Sequence, residues 1–158
     1  MRHSLEVGAS FGLTSGVITT LGLIVGLYAG TQSKLAVVGG VVTIAVADAL
    51  SDALGIHISE ESENTHTPKE IWVATLATFV TKFLIALTFL GPILLMDLKS
   101  AVIASVVWGA VALAALSYWV AVAQKVRPWL VIGEHLAVAA AVVVVSHYLG
   151  VFVGRVFG

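Results

Sequence analysis

Residues 41–63, VVTIAVADALSDALGIHISEESE, decide how the chain is read. The stretch begins as an apolar helix of membrane character and ends as an acidic, His-containing, water-facing one. Asp48 and Asp52 sit inside the apolar part, four residues apart and therefore on one helical face. A carboxylate in the middle of a span costs about 2.5–3.5 kcal/mol on insertion scales, so it is kept there for a purpose. At about 100° per residue, Asp48, Asp52, Ser59 and Glu63 fall in one narrow stripe. The stripe predicts a polar track from the bilayer interior to an acidic mouth, as an ion path requires.

Composition agrees with that membrane character. The 158 residues are 59% hydrophobic and 11% charged, with a mean hydropathy of +1.04. Too few polar residues are present to cover a soluble core. A net charge of -1 gives no footprint for nucleic acid. Cysteine is absent, which excludes a disulfide framework, thiolate metal sites and a cysteine nucleophile. The start MRHSLEVGAS runs into a long Gly-rich span without a cleavage signature, so a secretory signal is not expected.

Outward from the deciding stretch, the apolar runs predict an all-α polytopic membrane protein with five transmembrane helices and a single domain over 1–158. The expected spans are 7–29, 35–56, 71–96, 101–123 and 129–153. The one sizeable loop is 57–70, HISEESENTHTPKE. Its end, Thr67-Pro68-Lys69-Glu70, reads as a capping box with Pro at the first helical position. Gly91-Pro92 predicts a kink late in the third span. With the N-terminus and loop 57–70 in the cytoplasm, the inner side carries Arg2, Lys69, Lys125 and Arg127. The outer side then carries Lys34, Lys99 and Arg155, a slight bias in the expected direction. Trp72, Trp119 and Trp129 would form an aromatic belt at the inner interface. The cell membrane is the expected location.

The first span carries Gly8, Gly12, Gly16, Gly22, Gly26 and Gly30 along one helical stripe. Small residues at this spacing let helix backbones approach closely. The expected neighbour is the second span or the same helix of a second copy. Thr14, Ser15, Thr19 and Thr20 can satisfy backbone carbonyls or offer oxygen ligands.

Two stretches, FGLTSGVITTLGLIVGLYAG and ADALSDALGIHISEESE, resemble the vacuolar iron transporter family of iron and manganese transporters. Gly12-Leu13 match the head of that family's first span, and Ser51 matches the Ser of its Ser-Met motif. Gly55 and residues 59–63 match its acidic exit, and the C-terminal SHYLGVFVGRVFG is similar to its last span. The resemblance implies five helices, a homodimer and proton-coupled export of divalent metal from the cytosol. It also implies Fe²⁺ or Mn²⁺ as cargo rather than as a permanently bound cofactor. Phe11 stands where the family typically has Asp, Asp52 stands at its Met, and Asp48 replaces a small residue. The family's large metal-binding insert is reduced here to 57–70.

The residues permit metal on their own terms. Oxygen ligands suit Mn²⁺, and added imidazole suits Fe²⁺. Asp48 and Asp52 could both touch one ion, and two like charges so close would release a proton when a cation arrives. The competing reading pairs both aspartates with Lys82 in the third span. Counted from the inner helix ends, Asp48 lies about 12 Å deep and Lys82 about 17 Å, within reach of a snorkelling Lys. Glu134 either closes the same site or is an interfacial carboxylate. His57, Glu60 and Glu63, with Glu61 and His66, are candidates for capturing cytosolic cations. His147 is read as a packing residue before an exit ligand.

The expected function is therefore divalent metal transport along a pathway of Asp48, Asp52, Lys82 and Glu134. Metal ligands are expected among Asp48, Asp52, His57, Glu60 and Glu63. The alternative is another proton-coupled carrier or channel, for non-metal cations. No Ser/His/Asp or HExxH arrangement occurs, so an enzyme is not expected.

Overall fold

Stop signals at the ends of the apolar runs delimit six α-helices in the computed structural model, which describes all residues 1–158 and contains no strand. They are α1 (Arg2–Thr31), α2 (Lys34–Ser62), α3 (Pro68–Thr88), α4 (Leu90–Leu95), α5 (Leu98–Ala123) and α6 (Pro128–Phe157). The segment Pro68–Leu95 acts as one span, so five segments are long and apolar enough to cross a bilayer. The chain is a polytopic, all-α integral membrane protein. Its helices outrun the expected spans because polar flanking residues continue the helix beyond the apolar window.

The caps are local chemistry. Ser33 accepts a hydrogen bond from the Ala36 N–H, and Asp97 accepts from the Ser100 N–H. That bond to Ser100 holds the Asp97 carboxyl below its ordinary range. Thr67 and Glu70 form the expected capping box, with Pro68 in the first turn. Replacing Thr67 with Ala is expected to cost about 1 kcal/mol in thermal unfolding in detergent, the usual value of a cap.

Two local expectations change. Loop 57–70 is mostly helix, because α2 continues through His57 to Ser62 and only 63–67 link it to α3. Asn64 takes the left-handed turn there (φ 53°), and Thr67 is extended (φ -72°, ψ 153°) ahead of Pro68. The Gly91-Pro92 kink falls earlier than those residues, at Phe89, the one turn residue (φ -70°, ψ -17°) between α3 and α4. Pro92 has no N–H to return to the Thr88 carbonyl. The Phe89 N–H instead closes a tighter turn on Ala86 at 3.2 Å. Across the kink, the Trp108 indole of α5 donates to the Thr88 hydroxyl at 2.9 Å.

α1 is the hub. Its Val17, Leu21, Ile24 and Val25 join Val37, Val41, Phe89, Ile93 and Leu113 in one buried cluster. The expected partner of the glycine stripe was α2 or a second copy; the stripe instead serves α3 and α6. A Cβ on Gly12 would sit 2.6 Å from the Thr78 carbonyl oxygen, and one on Gly16 3.3 Å from the Lys82 Cα. In the other half, a Cβ on Gly22 would meet Val142 at 2.9 Å and one on Gly26 the Ser146 carbonyl at 3.4 Å. The reason is length. A helix of 30 residues is about 45 Å long, so one face holds two crossing neighbours at different heights.

Termini and links sort onto two sides. The N-terminal side holds Arg2, the 63–67 link and the α5–α6 turn, and exposes Trp72, Trp119 and Trp129. The far side holds the α1–α2 turn, where the Lys34 ammonium donates to the carbonyls of Leu94 and Met96 at 3.3 and 3.0 Å.

Candidate ion site

The site begins with a single buried lysine. Lys82 lies in the middle of the span Pro68–Leu95 and is 2% exposed. Its stem fits because Gly16 of α1 has no side chain; a Cβ there would lie 3.3 Å from the Lys82 Cγ. Its ammonium contacts one oxygen each of Asp48 and Asp52, on successive turns of α2. The Asp48 contact is an ion pair without the angles of a hydrogen bond, since that oxygen is buried with no hydrogen-bond partner.

Ser15 of α1 completes the cluster. Its hydroxyl donates to Asp52 Oδ2 at 2.6 Å and accepts from Lys82 Nζ at 2.9 Å. Three helices thus meet at four side chains in the middle of the bundle. Two carboxylates face one ammonium, so the fully ionised cluster carries one uncompensated negative charge. In a low-dielectric interior such a charge is costly until a proton or a second cation joins it. The carboxylates are also within reach: the Asp48 and Asp52 side chains are 28% and 21% exposed.

A groove of about 470 Å³ between α1 and α2 ends at Asp48. Leu23 and Leu27 form one wall, and Ala36, Gly40, Thr43 and Ala47 the other. From Ala36 to Asp48 it runs about 18 Å along α2, toward the far side. On the N-terminal side α1 lies close against α3, where the Thr78 hydroxyl is shared between the Ala74 carbonyl at 2.9 Å and the Gly8 carbonyl at 3.2 Å.

The remaining expected residues fall in separate places. No group of three His, Asp or Glu side chains is placed to hold a metal ion together. His57 donates through Nδ1 to the Thr75 hydroxyl at 2.9 Å, because that hydroxyl's own proton goes to the Ile71 carbonyl. Its ring also stands edge-on to Trp72, with centroids 4.8 Å apart. Glu60 is turned inward and pairs with His66 at 3.1 Å, while Glu63 lies 4.0 Å from the same nitrogen. The expected capture group therefore reduces to Glu60, Glu63 and His66.

The continuous track through Ser59 and Glu63 does not form. The inward line of α2 is Val37, Val41, Ala45, Ala49, Ala53 and Glu60, and Ser59 and Glu63 are exposed beside it. Glu134 is exposed on α6, a helix that packs on α1 and α5 rather than on the aspartates. Its neighbour His135 faces inward and pairs with Ser117 at 2.8 Å. Ser15 is the member that sequence reasoning did not single out. Thr14 and Thr19 bond their own helix, as a membrane hydroxyl ordinarily does.

Compared with known protein families, with curated proteins and with solved structures, the chain matches none. Fold and site together define a five-span helical membrane protein with a charged cluster at its centre.

Proposed function

We propose that the chain is a proton-coupled cation carrier whose cargo binds at Asp48 and Asp52, with a divalent metal, Fe²⁺ or Mn²⁺, as that cargo. The observation that carries the reading is Lys82, buried mid-span and held by two carboxylates, one of which, Asp48, an open groove reaches. An ammonium there is a tethered stand-in for the cargo. An arriving cation takes its place, and charge balance then requires loss of a proton from Lys82 or a carboxylate. The motif residues of the first two spans favour metal, as does the all-oxygen ligand set of Asp48, Asp52 and Ser15. Glu60, Glu63 and His66 would gather cations on the N-terminal side, which the slight Lys and Arg bias favours as the cytoplasmic one.

A homodimer through α2 fits this reading. Gly39, Thr43, Ala47, Ser51, Gly55 and Ser59 recur every fourth residue and are exposed. A Cβ on Gly39 or Gly55 would meet nothing within 4 Å. Small residues at this spacing suit close helix contact. The α1 glycines, filled by α3 and α6, leave α2 as the face for a second copy, which would bring its own Asp48 and Asp52 nearby.

A second reading, a carrier of protons with an organic cation, is favoured by one feature: no third carboxylate or imidazole joins the cluster. Proton flux in proteoliposomes separates the two. Fe²⁺ or Mn²⁺ is expected to drive proton movement in wild type and not in Asp52→Asn. Flux driven by organic cations but by neither metal would select the second reading. No flux with either class would overturn both.

A further inference from the structure

We propose that the cleft between α5 and α6 is a seat for one membrane lipid, with a hydrocarbon chain in the cleft and the glycerol linkage at Tyr28 and His147. Two adjoining cavities, of about 430 and 370 Å³, share Val106, Val143 and Val144 and so form a single furrow. Its walls are apolar from Leu136 to Val144, and its polar side chains, Tyr28, His147 and Tyr148, are gathered at the far-side end. That zoning is the zoning of a lipid.

Dimensions select the occupant. From Leu136 to Tyr148 the furrow follows α6 for about 18 Å. The hydrocarbon of one leaflet is about 15 Å deep, half of a core of about 30 Å. Tyr28 lies one turn below the end of α1 at Thr31. His147 lies about a turn below Gly150, which packs against the same end of α1. Both therefore stand near the boundary of the hydrocarbon, where the linkage of a far-side-leaflet lipid sits. A helix is about 10–12 Å across and does not enter a slot between two packed helices, whereas a single hydrocarbon chain does. Val144 and Tyr148 on the rim are exposed, so the furrow opens to the lipid phase.

The test uses the full chain, delipidated in detergent, with palmitoyl-oleoyl-phosphatidylglycerol as probe. Wild type is expected to show one retained lipid in native mass spectra and a thermal midpoint that rises by several degrees with the probe. Val144→Trp and Ala140→Leu fill the furrow from its exposed rim, and each is expected to weaken the apparent lipid affinity at least tenfold. His147→Leu with Tyr28→Phe is expected to weaken it while leaving the apolar furrow intact. Retention of the adduct and the shift in both filled variants would overturn the assignment, as would a wild type that binds no lipid. Because the chain has no Cys, a Val144→Cys variant reports a further outcome. Disulfide-linked dimers in the membrane would make a second copy the occupant and overturn the lipid.

Discussion

Replacing Lys82 with Met is expected to destabilise the protein by about 3–5 kcal/mol, the cost of removing one partner from a buried ion pair. Met matches the stem against Gly16 but leaves Asp48 and Asp52 facing each other, with only the Ser15 hydroxyl donating to them. The loss should therefore be electrostatic. Adding Asp48→Asn and Asp52→Asn to Lys82→Met should recover most of it, because a neutral cluster of similar shape needs no counter-charge. If a cation takes the place of the ammonium, Mn²⁺ should raise the melting midpoint of Lys82→Met more than that of wild type. Thermal unfolding of the three proteins, with and without Mn²⁺, checks both statements. An unchanged midpoint for Lys82→Met would mean that the carboxylates are already neutral or hydrated through the groove.

Gly12→Leu should be as damaging for a different reason. Its Cβ would press on the Thr78 carbonyl at 2.6 Å, and Lys82 N lies 3.2 Å away. Backbone cannot yield as a side-chain tip does, so α1 and α3 must separate, at a cost of about 3 kcal/mol or more. Separation also pulls Ser15 from Lys82, so activity should fall together with the midpoint. Gly26→Ala is the control. Its Cβ would meet the Ser146 carbonyl at an ordinary 3.4 Å, and it lies in the half of α1 away from the cluster. A Gly12→Leu protein as stable as Gly26→Ala would refute the close α1–α3 contact.

The number of spans and the capping box at Thr67 were legible because each depends on a contiguous run of residues. The meeting of Asp48, Asp52 and Lys82 was legible from depth alone: charges at similar heights in one apolar medium find each other. Which neighbour a helix face selects was not. The glycines of α1 announce close packing, but nothing in their spacing distinguishes α3 and α6 from α2. Ser15 and Thr14 look alike in sequence, and only the rotation of α1 against α2 gives one to Asp52 and leaves the other on its own backbone. The same ambiguity misplaced His57, which Thr75 holds, and Glu134, which α6 carries away from the cluster.

The position of the cluster in the chain bears on how the protein enters the membrane. Ser15, Asp48, Asp52 and Lys82 all come from the first three spans, made in that order. A lone lysine at the centre of a span costs about 2.5–3.5 kcal/mol to insert, and each aspartate a similar amount. When α3 leaves the ribosome, the two acids it needs have already emerged, and the lysine it brings is the one that α2 lacks. Biogenesis then favours helices released into the bilayer as a group rather than one at a time. α5 and α6 have no charge at their centres, so they can follow on hydrophobicity alone.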